Sequence, residues 1–78
     1  MNILIINPNS TSGMTCAIHE AAGAAAARET RIHAVTSKSG PASIQGPDDG
    51  AAALPGLFAV FDQEMRTGGP YHGVIIAC

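Results

Sequence analysis

At 78 residues the chain is one small domain at most, of a size that buries only about 60% of the surface its unfolded form exposes. Of its apolar residues 14 are alanine and only 19 are Ile, Leu, Val, Phe or Met, so the core is thin; two cysteines without C-x-x-C spacing give no disulfide framework and no zinc site. A net charge of −2 with four scattered basic residues excludes a nucleic-acid patch, and the apolar run at the start is too short for a signal peptide or a membrane span, so a soluble, cytoplasmic protein is expected.

The first element is the run Asn2 to Ile6, nearly all apolar and ended by NPNSTSG, which suits a strand buried on both faces of a parallel sheet. From about Ser12 to Arg28, Met14, Ala17, Ile18, Ala21 and Ala25 recur at helical spacing, with Ser10, Thr11 or Ser12 as the N-cap. TRIHAVT follows as a more polar alternating strand, expected at a sheet edge. The stretch SKSGPASIQGPDDG marks a loop. Pro55 is expected to open the main part of the second helix, whose face carries Leu57, Phe58, Phe61 and Met65 and which ends at Gly68 and Gly69. GVIIA then supplies a third strand, expected to be buried.

The fold class is therefore α/β, a three-layer open parallel sheet built as β-α-β-α-β with spatial order 2-1-3. In such a sheet a crevice opens at the C-terminal ends of the first and third strands. Two features fall there. The loop NPNSTSGMT joins a strand to a helix N-terminus, where free N–H groups favour an anionic or carbonyl oxygen, and Asn7, Asn9, Ser10 and Thr11 add polar side chains. A capped turn without a ligand explains the same residues equally well. Cys78 ends the third strand, placed to be a nucleophile or general base, or else a small core residue. Ser43 in GPASIQG reaches the same rim, or belongs to a turn set by Gly40 and Pro41. Cys16 reads as packing; His19, His33 and His72 lack ligand spacing, so no metal site is assigned; Asp48 and Asp49 read as helix-capping residues.

Taken together, NILIINPNSTSGMT, GPASIQG with the DD pair, and GVIIAC resemble the aspartate/glutamate racemase superfamily, in particular its hydantoin and allantoin racemase branch, along the whole chain. The resemblance implies the first lobe of a two-lobed α/β fold, with residues 1–78 as that lobe, and a site between lobes to which each contributes a cysteine. It implies that Cys78 is the first catalytic cysteine and that Asn7, Asn9 and the hydroxyls of Ser10 and Thr11 line the substrate pocket; Ser43 is counted with them from its place at the rim. The implied reaction is cofactor-independent inversion of a 5-substituted hydantoin or allantoin, one thiolate taking a proton from the carbon next to a carbonyl and the opposing thiol returning one. Neither cofactor nor metal is needed. The small-molecule partner is a cyclic ureide or amino-acid-like substrate; no nucleic acid or membrane is expected, and a homo-oligomer is compatible with the open edge. Relatives continue past the position of Cys78 to the second cysteine, so the expectation is a fragment, inactive in isolation. A decarboxylase or isomerase of the same superfamily, or a non-catalytic small-anion-binding module, are the alternatives.

Overall fold

A computed structural model describes residues 1–77. The elements are β1 (Asn2–Asn7), α1 (Ser12–Ala25), β2 (Arg31–Thr36), α2 (Pro47–Thr67) and β3 (Gly73–Ile76). The three strands form one parallel sheet in the order β2-β1-β3, as expected for this α/β class. Ile3 pairs with Ile32 and Asn7 with Thr36 on one side of β1, while Ile3 to Ile6 pair with Gly73 to Ile76 on the other.

β1 is the centre because it has an apolar residue at every position from Ile3 to Ile6, so neither face needs water. Leu4, Ile5 and Ile6 are buried, Leu4 and Ile6 completely. Successive strand residues point to opposite faces. Thr36 of β2 is bonded to Thr15 of α1, whereas His33 of β2 meets Glu64 of α2, so the odd-numbered and even-numbered residues of β2 face different helices. The two helices therefore cover opposite faces, as right-handed crossovers require for this order.

Several local expectations are corrected. α1 stops at Ala25 rather than near Arg28, because Ala26 is already extended and Thr30 N bonds Ala27 O in a turn that lets Arg31 N reach Met1 O and start β2. The face α1 turns inward is Thr15, Ile18 and Ala22, not the stripe through Met14, Ala17, Ala21 and Ala25, which is exposed. Thr11 is the N-cap residue by backbone geometry, but its hydroxyl caps nothing in the helix. Pro55 does not open α2: Pro47 takes the first position, where a missing N–H costs nothing, and Pro55 sits inside a continuous helix of 21 residues. Asp48 and Asp49 lie in the first turn, where they complement the helix dipole, but neither caps the helix: Asp49 Oδ2 accepts from Gln45 N, ahead of the N-cap Gly46, at 3.1 Å. Gly68 closes the helix, and its N–H bonds Glu64 O.

The larger correction concerns what α2 and β3 bury. α2 meets the sheet through Ala53 and Gly56, the two buried residues of the helix, because Gly56 lets the backbone approach Ser37 and Ser39 closely. Phe58, Phe61 and Met65 stay exposed, and so do Val74, Ile75 and Ile76 of β3. The expectation that β3 is buried fails because, in the order β2-β1-β3, it forms an edge of the sheet among the described residues. Among the described residues, no helix is long and apolar enough to cross a membrane.

Candidate active site

The C-terminal ends of the strands carry a polar core. Asn7 ends β1 and is 1% exposed; Asn9, two residues on, is 2% exposed. Buried amides persist only when their hydrogen bonds are made, and here they are made within the loop. Asn7 Oδ1 accepts from Asn9 N at 3.1 Å, and Asn9 Oδ1 accepts from Thr11 N at 3.0 Å. Each is an Asx turn, a side chain bonding the backbone two residues on, so N-x-N-x-T folds as two such turns in series. Asn7 Nδ2 supplies one hydrogen to Asn9 Oδ1 at 2.9 Å and another to Thr15 Oγ1 at 3.1 Å, with Thr11 O at 3.3 Å as a longer third acceptor. Thr15 Oγ1 in turn lies 2.6 Å from Thr36 Oγ1. One asparagine thus ties the end of β1 to α1 and, through Thr15, to the end of β2.

The same loop is tied to the segment after β2. Ser10 N donates to Pro41 O at 2.8 Å, and the Thr11 hydroxyl donates to Ala42 O at 2.7 Å. Ser43, exposed and next to Ala42, is thereby brought to the rim where Ser10 and Thr11 stand. On the other side Ala77 N donates to Ile6 O, which sets the end of β3 beside Asn7. Of the sequence-derived site residues, Asn7, Asn9, Ser10, Thr11 and Ser43 therefore share one end of the sheet; Cys78 lies outside the described residues.

The chemistry is divided between the buried and exposed parts of this loop. The amides of Asn7 and Asn9 are committed inward: the remaining Asn9 Nδ2 faces Met14 Sδ at 3.1 Å, a weak acceptor. Facing outward are the half-buried Ser10, the exposed Thr11, and the first turn of α1, where Ser12 and Gly13 N–H groups have no acceptor within the helix. No acidic residue occupies that turn, so the positive end of the helix is uncompensated and favours a carbonyl or anionic oxygen.

Thr15 and Thr36 were missed in the sequence, although a threonine one helical turn beyond Thr11, at an inward position among alanines, is the available signal. Ser37 was missed too. It is fully buried at the end of β2, held by Ser37 N to Asn7 O at 3.0 Å, and its hydroxyl has no partner among the described residues. Cys16 is an exposed free thiol on α1. His33 pairs with Glu64 at 3.1 Å and His72 Nδ1 accepts from Asn2 N at 2.9 Å, so both have structural partners away from the loop. Among the described residues no three His, Cys, Asp or Glu side chains gather as metal ligands.

A parallel α/β sheet with a polar loop at the C-terminal end of its central strand defines the class of open-sheet α/β domains. Within that class the assignment is specific. The family model for Asp/Glu/Hydantoin racemase matches residues 3–78, and the chain belongs to this family. It is 40% identical to a hydantoin racemase from Pseudomonas sp. (strain NS671) over 78 residues, 100% of this chain and 30% of that protein. It is 38% identical to a hydantoin racemase from Paenarthrobacter aurescens, covering 33% of it. Among solved structures, allantoin racemase from Klebsiella pneumoniae superposes with a TM-score of 0.89 at 36% identity, over 99% of this chain and 31% of that one. Allantoin racemase from Pseudomonas fluorescens superposes with a TM-score of 0.82 at 35% identity, over 99% of this chain and 32% of that one. The chain spans about a third of the length of the relatives it matches.

Proposed function

We propose that residues 1–78 are the first lobe of a cofactor-independent racemase acting on a 5-substituted hydantoin or allantoin, with Cys78 as one of its two acid/base groups. The observation that carries the reading is the closed N-P-N-S-T loop at the end of β1, beside the end of the neighbouring strand β3. In the reaction a base removes the proton from the carbon next to a carbonyl, the electron pair moves into an enolate, and an acid on the opposite face returns a proton to that carbon. Charge gathers on the carbonyl oxygen. The outward-facing hydroxyl of Ser10 and the Ser12 and Gly13 N–H groups at the positive end of α1 are the donors suited to hold it, while the Thr11 hydroxyl, which donates to Ala42 O, shapes the rim beside them. Asn7 and Asn9 act on substrate through the shape of this loop, since their amides are bonded internally. Ser43 completes the rim.

Inversion needs a second group on the opposite face, and the relatives are about three times as long as this chain. The exposed apolar surface of α2 and β3 agrees with a lobe that is covered by further chain. The test is polarimetry of an optically pure 5-substituted hydantoin, with the 78-residue chain alone and with the chain substituted for the matching third of the Pseudomonas hydantoin racemase. Inversion is expected from the chimera and not from the chain alone, and Cys78→Ala in the chimera is expected to cost at least about a hundredfold in rate, the lower end for a general acid/base group. A chimera that inverts substrate equally well with Cys78→Ala would sink the reading. Retention of optical purity with release of carbon dioxide from a carboxylated substrate would favour a decarboxylase of the same superfamily instead.

A further inference from the structure

Away from the N-P-N-S-T loop, α2 and the outer edge of β2 enclose a groove of about 480 Å³, within the size range of small-ligand sites. Its two ends carry opposite charge. Lys38, just past β2, stands at one end and makes no ion pair among the described residues. Glu64 stands at the other, where its Oε1 receives Tyr71 OH at 3.0 Å and His33 Nε2 at 3.1 Å, while Oε2 has no partner among the described residues. Between them the groove is walled by Val35, Ala59 and Val60, with Gln63 as an amide on the helix side.

The strand side of the groove supplies backbone groups. Arg31 N donates to Met1 O and Ser37 N to Asn7 O, so the odd-numbered residues of β2 turn their backbone toward β1. The N–H and C=O groups of Ile32, Ala34 and Thr36 then face the open edge, and Thr36 borders the groove. Glu64 lies level with His33, five residues before Lys38. From His33 to the end of β2 at Thr36 is three residues, about 10 Å at 3.3 Å per residue, and Lys38 follows in the turn closed by Gly40 N to Ser37 O, so the span suits three or four extended residues.

We propose that this groove binds the extended backbone of a short peptide with free termini, its carboxylate at Lys38 and the Thr36 N–H and its amine at Glu64. The peptide runs parallel to β2 and adds a strand to its open edge, with small apolar side chains against Val35 and Val60. The charge order fixes the direction, since the reversed peptide puts carboxylate on Glu64 and amine on Lys38. The site is independent of the racemase reading, because it uses neither the N-P-N-S-T loop nor Cys78.

The test is a ¹⁵N-NMR titration of the 78-residue chain with the tetrapeptide Ala-Val-Val-Ala, in free form, with the C-terminus amidated, and with the N-terminus acetylated. Shifts are expected at Ala34, Thr36, Gly56 and Val60, with each capped peptide binding about two- to fivefold more weakly, the range for one exposed ion pair. In Lys38→Met, amidation is expected to make no further difference, whereas acetylation still does. Glu64→Gln should show the converse. Absence of shifts at millimolar peptide, equal binding of all three peptides, or shifts centred on Val74 to Ile76 would each overturn the proposal.

Discussion

Removing the Asn7 side chain with Asn7→Ala is expected to unfold the chain or bring it close to unfolding. The substitution deletes the acceptor of Asn9 N and the donor to Asn9 Oδ1 and Thr15 Oγ1. Asn9 Oδ1 keeps Thr11 N, and Thr15 keeps Thr36, but Asn9 N is left buried without an acceptor. Two lost hydrogen bonds at about 1 kcal/mol each and one unsatisfied buried N–H at about 1–3 kcal/mol give a loss of about 3–5 kcal/mol. A chain of this size has roughly 4–12 kcal/mol in total. Urea denaturation followed by circular dichroism at 222 nm reads the effect, and with a slope of about 1 kcal/mol per molar the midpoint should fall by about 3 M or more. Ser10→Ala is the control: its backbone N–H, not its side chain, holds Pro41 O, so its change should stay within about 0.5 kcal/mol. Thr15→Val should cost less than Asn7→Ala, about 1–2 kcal/mol, because Thr11 O can take the Asn7 hydrogen. The double variant should fall short of the sum of the two. An Asn7→Ala variant within about 1 kcal/mol of the parent, or strictly additive losses, would refute the network.

Two glycines of α2 should respond oppositely to alanine. A methyl at Gly50 meets nothing within 4 Å, so Gly50→Ala should stabilise by about 0.5–1 kcal/mol, whereas at Gly56 it lands 2.5 Å from Ser37 Oγ and 2.6 Å from Ser39 Oγ and should cost about 1–3 kcal/mol. Thermal melts of the pair decide this, and a Gly56→Ala variant melting above the parent would refute the close approach of α2 to Ser37 and Ser39 after β2. Tyr71 should ionise above the usual value of 10.0, first because burial disfavours the phenolate and then because its hydroxyl donates to Glu64, whose charge opposes a second negative charge. Since the folded state holds this proton longer than the unfolded chain, the stabilisation is complete below about pH 10 and is lost as pH rises through the folded pKa. Titration of absorbance at 295 nm checks the direction, and Glu64→Gln should move the midpoint downward.

The topology was legible because it depends on coarse features: two apolar runs, one alternating strand, two helical stretches and short connections leave few arrangements of a parallel sheet. The gathering of Asn7, Asn9, Ser10, Thr11 and Ser43 followed from the same rule that places loops after parallel strands at one end. What the residues of the loop do there was less legible. Asn7 and Asn9 look like ligand-binding amides in the sequence, and two Asx turns in series use the same N-x-N-x-T pattern to make the loop itself. Their third partner, Thr15, comes from the inward face of α1, which the alanine stripe of Ala17, Ala21 and Ala25 obscured.

The misreading of α2 has a different origin. Hydrophobic periodicity reports that a helix has an apolar face, not which neighbour that face meets. α2 has two such faces: the small residues Ala53 and Gly56 with Leu57 and Val60 at one set of positions, and Leu54, Phe58, Phe61 and Met65 at another. Size suggests that the aromatic face is the buried one, since it removes more area from water. The sheet takes the small face instead, because only a residue without a side chain fits where Gly56 meets Ser37 and Ser39. The aromatic face then turns toward the open edge of β3, where Leu57, Phe58, Phe61 and Ile76 enclose a wholly apolar hollow of about 240 Å³. The thin core inferred from composition and the exposed aromatics thus share one cause: the large side chains of α2 and β3 lie on the side of the sheet edge that this chain does not itself cover.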